Sequence, residues 1–274
     1  MTHARAPLSI AFLSIAMSLG LSACGDDEPA AAPPSAPLTS TPVVPTAMTR
    51  DFVVDSASSN VEFRMQAPLE SIRGHVPGAA EGRFTVDLAN LANSRGVMRV
   101  DLDRLEVFQQ KREAAGAELG EETKNETQNE HLRAWLEIGE DAPPDVRETN
   151  RWAELSIVTL DALSESNVLA MTGATRTVQA RVRGSLRVHG RAAPKSARVE
   201  LTFAFEGNEP TSVRIRTLEP FLIGLDEFDV RPRTAFGRLA RQTLAALGEK
   251  VAEAAPITID ATANVEPAPA AAAP

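Results

Sequence analysis

The chain has 274 residues, with 28 Lys plus Arg against 37 Asp plus Glu, a formal net charge of −9, a single cysteine and no tyrosine. That acidic balance argues against a nucleic-acid surface and against peripheral docking on anionic lipid. With only Cys24 available no internal disulfide can form, so the folded part must be held by its core alone.

Taken in order, the chain begins with His3 and Arg5, then an apolar run from Leu8 to Leu21 that is too short to span a bilayer as a mature helix. The run ends in Leu21-Ser22-Ala23-Cys24, which resembles the lipobox of a bacterial lipoprotein signal. The expectation is a signal peptide over 1–23, cleavage before Cys24, and acylation of Cys24; a secretory peptide with a small-residue cleavage site is the alternative. Several acyl chains on one residue give stable anchoring, at about 0.8 kcal/mol per buried methylene. The mature protein would then sit in the bacterial cell envelope, lipid-anchored and facing the periplasm. Residues 24–48 interleave Pro29, Pro33, Pro34, Pro37, Pro42 and Pro45 with Ala, Ser and Thr, and read as an extended tether.

From residue 49 to 265 the dominant signal is period-two alternation, the signature of half-buried antiparallel strands. Asp51–Asp55 is followed by a turn at 56–60, then by Val61, Phe63 and Met65 alternating with polar residues. Ile72, Gly74 and Val76 repeat the pattern, as do Phe84, Val86 and Leu88, then Met98, Val100 and Leu102, with Leu105 and Val107 out of phase. The charged stretch 111–128 breaks the pattern. Thr127 and Glu130 form a capping box ahead of a helix carrying Leu132, Trp135 and Leu136, with Gly139 placed to stop it. Ala153, Leu155, Ile157 and Thr159 resume a strand.

The longest alternation runs from Val178 to Val188, breaks at Gly190–Pro194, and returns as Val199, Leu201, Phe203 and Phe205. Val213 and Ile215 start another strand, and 221–234 reads as irregular. Thr234 caps a second helix with Phe236, Leu239 and Leu244 on one stripe, and Ile257 to Val265 closes the set; 266–274 is a Pro/Ala tail. The fold class is mainly β: an antiparallel barrel of about eight strands with two peripheral helices, a two-layer sandwich being the alternative.

Several landmarks resemble the YceI-like family. They are Asp55 to Phe63 as an opening strand pair, Gly82-Arg83-Phe84, His131-Leu132 followed by Trp152 to Leu155, and Gly184 to Arg191 as a hairpin. The resemblance implies a lipocalin-like barrel of periplasmic proteins that binds a polyisoprenoid chain. It supplies no catalytic residues. On this basis Phe63, Phe84, Val100, Leu155, Leu186, Phe203 and Phe205 are expected to line the interior, with Phe236, Leu239 and Leu244 as a lid.

No chemical constellation competes with binding. Glycine-rich phosphate loops, a Gly-x-Ser-x-Gly elbow and His-Glu-x-x-His spacing are absent from the sequence, so no metal, cofactor or catalytic group is expected. His75 and His189 fall on polar phases and read as surface residues. Small inward residues (Gly74, Ala180, Gly184, Ala261, Ala263) suggest open space inside. The expected partners are a long apolar or isoprenoid small molecule and, through Cys24, a membrane. A structural or interaction module of the envelope with a solid barrel core is the alternative.

Overall fold

The computed structural model describes residues 48–67, 69–162, 164–231 and 253–266. Cys24, the tether, the expected helix after Thr234 and the last residues of the tail lie outside them.

Twelve strands form one sheet: β1 (Thr49–Ala67), β2 (Glu70–His75), β3 (Ala80–Asp87), β4 (Arg95–Asp101), β5 (Glu106–Lys111), β6 (Thr123–Lys124), β7 (Trp152–Ala162), β8 (Thr175–Val188), β9 (Arg191–Glu206), β10 (Glu209–Thr217), β11 (Phe221–Gly224) and β12 (Ala254–Val265). Two helices, α1 (Glu126–Trp135) and α2 (Pro144–Asn150), lie between β6 and β7 in the chain. Eight strands close a ring in the order β12-β10-β9-β8-β7-β4-β3-β1, the last pairing back to β12. The pairings around the ring are antiparallel, and its closure through β1 and β12 sets the sandwich alternative aside in favour of a closed barrel. The remaining strands are additions. β2, β5 and β6 extend from the second half of β1, and β11 pairs with the start of β12.

The alternating apolar residues face inwards as their period requires. On β8 every even residue from Arg176 to Val188 is buried, and on β9 Val199, Leu201, Phe203 and Phe205 match them. These join one core with Phe52, Val54, Phe84, Val86, Met98 and Val100 from the other side of the ring.

Four local features differ from the sequence expectation. The stretch 56–60 is no turn between two strands: β1 runs through it as a bulge, pairing Asp55 with Thr262 on one side and Asn60 with Asp260 on the other. Ser59 ties the bulge, its Oγ donating to the Asp55 carbonyl at 2.7 Å and accepting from Thr262 N–H at 3.2 Å. Bulges of this kind bend a strand and raise its twist, which a closed ring needs.

Second, the long hairpin turns at His189-Gly190, not over Gly190–Pro194. Both residues have positive φ (50° and 69°) between the paired Val188 and Arg191, a type I′ geometry. Pro194 lies within β9, opposite Ser185. Counting from the turn, that is a non-hydrogen-bonded pair, so the proline nitrogen faces away from β8.

Third, α1 starts two residues earlier than the capping box suggests. Asn125 is the cap, its side chain accepting from Gln128 N–H at 3.0 Å. The helix stops at Glu137, which takes a left-handed φ of 53°, while Ile138 N–H reaches back to the Arg133 carbonyl at 3.0 Å. Fourth, Pro144 opens α2, where its missing N–H is no loss, and Phe221–Gly224 is a strand, not irregular chain.

Candidate functional site

The interior is filled at one end and hollow at the other. At the filled end Phe52 and Phe203 meet, and the fully buried Val178 and Ala180 face Leu201 and Val199 across the β8–β9 ladder. Arg176 continues the inward phase there. Its guanidinium lies 3.7 Å over the Phe205 ring and donates to the carbonyls of Val168 (3.0 Å) and Gly173 (3.2 Å). A buried cation is tolerable when its donors are engaged and an aromatic face covers it. Sequence reasoning passed over it; its place in the Val178–Val188 alternation was the available signal.

Towards the other end lies an apolar cavity of about 150 Å³. Among the described residues lining it, Glu62 alone carries a polar side chain. Two smaller voids of about 40 and 50 Å³ continue inwards. The first shares Met98, Leu155, Phe221 and Ile259 with the main cavity, and the second shares Phe84, Ile157, Val182 and Ile215 with the first. A space with walls of this kind accepts hydrocarbon.

Of the residues singled out from the sequence, Phe63, Val100, Leu155 and Leu186 come together on the main cavity. Leu155 and Leu186 face one another across the β7–β8 ladder. Phe84 borders both smaller voids and Phe203 the inner one. Phe205 sits beneath Arg176 and borders none of these three spaces. Phe236, Leu239 and Leu244 lie outside the described residues. Leu132 and Leu136 of α1, and Leu225 and Val230 after β11, complete the wall without having been foreseen. For the helix the three-to-four residue stripe was the signal; for the loop there was none.

The small inward residues do not create the space. Gly74 is covered by the ring of its cross-strand partner Phe63, and Gly96 by that of Phe84. Ala180, Ala261 and Ala263 are fully buried and border none of the three voids. Space opens instead where β7, β8, β11 and β12 carry aliphatic residues too short to meet across the ring.

His189 is not a surface residue either. It is buried, with Nε2 2.7 Å from Glu137 Oε2 and Nδ1 3.2 Å from the Phe228 carbonyl. Both ring nitrogens face acceptors. Elsewhere, outside the cavity, several charged groups stand in ion pairs. Arg151 grips Asp101 with two bonds of 2.9 and 2.5 Å and holds its carboxyl below the usual carboxylate range. Arg73 does the same to Glu122, and Arg214 to Asp260. Among the described residues no group of three His, Cys, Asp or Glu is placed to hold a metal ion.

No curated protein matches the sequence. The solved structures to which the chain is similar, at low identity, include two. One is described as a polyisoprenoid binding domain from Saccharophagus degradans implicated in plant cell wall breakdown; it is 13% identical, with a TM-score of 0.47, over 78% of this chain and 98% of that one. The other, BcnA of Burkholderia cenocepacia, is 16% identical with a TM-score of 0.45, over 76% and 98%. The match that decides the matter is to the family model of the YceI-like domain, which spans residues 52–263, nearly the whole closed ring, and the chain belongs to that family.

Proposed function

We propose that this protein holds a long apolar, isoprenoid-like molecule in the hollow end of its barrel and performs no chemistry on it. The observation that carries this is the apolar cavity, where Glu62 is the one polar side chain among the described lining residues. Such a wall offers a ligand hydrophobic transfer at about 25 cal/mol per Å² and little else, which selects for a hydrocarbon chain. The two voids beyond it give a flexible chain room to extend by displacing side chains around Met98 and Leu155. A solid interaction module would have no reason to keep this space, because unfilled volume lowers stability.

Titration with retinol, a fluorescent isoprenoid alcohol, tests the reading: saturable binding is expected, and Leu186→Trp should abolish it. Organic extraction of protein purified from its native membranes should release a prenyl or acyl chain. Repeated preparations without one would remove the proposal. We further propose that acylated Cys24 holds the protein at an envelope membrane with the barrel in the periplasm. Metabolic labelling with palmitate should mark the wild type and leave Cys24→Ser unmarked.

A further inference from the structure

The hydrogen-bonded ring is not complete along its whole height. β9 and β10 pair from Glu206 and Glu209 only as far as Val199 and Thr217, with one more bond from Leu218 N–H to the Arg198 carbonyl at 2.9 Å. From Ala197 back to Arg191, β9 has β8 as its one strand partner among the described residues. Across the gap, β11 pairs only with β12, from Phe221 opposite Ile257 to Gly224 opposite Ala254. No pairing joins β9 to β11 among the described residues. Pro220 sits where β10 would have continued, and Pro194 turns its donorless nitrogen to the same gap. The small void of about 40 Å³ lies in this seam, between Lys195, Ser196 and Ala197 on one flank and Thr217 and Phe221 on the other, and it abuts the main cavity.

Residues 225–231 stop the seam with side chains. They form a tight turn, with Asp229 N–H donating to the Asp226 carbonyl at 3.1 Å and Val230 N–H to the Leu225 carbonyl at 2.8 Å. Phe228 at its tip is 0% exposed. Among the described residues its polar contacts with the barrel lie outside any strand ladder, while Phe228 and Val230 also pack into the apolar core. Lys195 pairs with Glu227 and lies 5.4 Å from the Phe228 ring, Arg191 approaches Asp229 at 3.6 Å, and His189 links the Phe228 carbonyl to Glu137.

The three described non-glycine residues with left-handed backbone are Glu137, His189 and Asp229. All belong to this clasp, and each adjoins a residue of the cavity wall: Leu136, Val188 and Val230. A helix end and a hairpin turn account for two of these conformations, yet glycine or asparagine would serve both more cheaply. What His189 and Glu137 add is the contact between them.

We infer that the seam between β9 and β11 is the passage through the barrel wall, and that residues 225–231 are its gate. Swinging Phe228 outwards would expose its ring and break side-chain contacts but, among the described residues, no strand ladder, whereas parting two neighbouring ring strands breaks a run of backbone bonds. Local opening of this kind sets exchange rates without changing what the closed site binds. The inference rests on the binding proposed above, and stopped-flow retinol fluorescence on the full chain separates the two.

One variant fastens the gate: Lys195→Cys with Glu227→Cys, in a Cys24→Ser background, joined by a short bifunctional maleimide. The other loosens it. His189→Asn keeps a residue suited to the type I′ turn but too short to reach Glu137. Fastening should slow association and release together by at least about tenfold, and loosening should speed both by up to about tenfold, the worth of one charge-assisted hydrogen bond. The equilibrium constant should stay within a factor of about two in each. Unchanged rates in both variants, or a change confined to one of the two rates that shifts the equilibrium constant, overturn the gate and leave the binding reading standing. If the parent chain takes up no retinol, both fall.

Discussion

The rings of Phe52 and Phe203 meet edge to face with centroids 6.3 Å apart and planes inclined by 69°. They come from β1 and β9, which are not neighbours in the ring, so the contact spans the interior and marks where the filled half begins. Phe203→Ala should lower stability by about 3–5 kcal/mol, as large truncations in packed cores do, because nothing nearby can move into the space. Denaturant unfolding measures that loss. Retinol affinity in the surviving folded fraction should change little, since Phe203 does not border the main cavity.

Substitutions at the hollow end should show the opposite balance. Leu155 borders the main cavity and the void behind it. Leu155→Trp places a larger side chain into space that is already open, so its effect on unfolding should stay within about 1 kcal/mol. Retinol binding should weaken by more than about tenfold, because the ligand and the indole compete for one volume. A large drop in melting temperature with retained binding would mean that the cavity is packed in solution.

Two glycines separate stability from function. A Cβ on Gly184 would press on the backbone carbonyl of Ser156, which cannot yield without disturbing the β7–β8 ladder. Gly184→Ala should therefore cost about 1–3 kcal/mol by overpacking. A Cβ on Gly74 meets only the ring of Phe63, and that ring borders the cavity. Gly74→Ala should push the ring inwards and reduce retinol affinity with a smaller loss of stability. Calorimetry and fluorescence titration on the pair read the two effects.

Acid should weaken the fold through a few named carboxylates. Asp101, beside the Arg151 guanidinium, ionises more readily folded than unfolded. Its contribution is fully present above the ordinary carboxylate range and is lost as pH falls below about 4 and through the lowered folded value. Asp260 and Glu122 act in the same direction; the Arg214–Asp260 pair is more exposed and contributes less. Asp101→Asn should cost about 1–3 kcal/mol near neutrality and flatten the acid limb of a urea-stability profile.

Where the chain alternates, the structure was legible before any coordinates. The eight ring strands follow from residues such as Phe84, Val86, Val178 and Phe203 recurring at every second position. What escaped was local chemistry with more than one solution. Ser56 to Asn60 has the composition of a turn yet forms a bulge, because β12 offers partners on both sides of it. Gly190–Pro194 looks like a break, but a proline is harmless where a strand edge has no neighbour.

Val158 and Leu160 blur their strand because of a register shift between Ile157 and Thr159, which moves Leu160 to the inside. Phe63, Val100, Leu155 and Leu186 reach the main cavity, whereas Phe205 shares their phase but sits at another height, beneath Arg176. Height along a barrel depends on strand stagger, and alternation carries no information about it. His189 was misjudged for a related reason: its burial comes from Glu137 and Phe228, distant in sequence.

The pairing of β1 with β12 sets the order of events when the protein is made. β1 finds its mate in β12, about two hundred residues further along, so the sheet has a raw edge until β12 has been made. A chain emerging unfinished is therefore slow to lock. It is also exposed to edge-to-edge association until Phe52 and Val265 come opposite one another, and this interval is where chaperones would matter most.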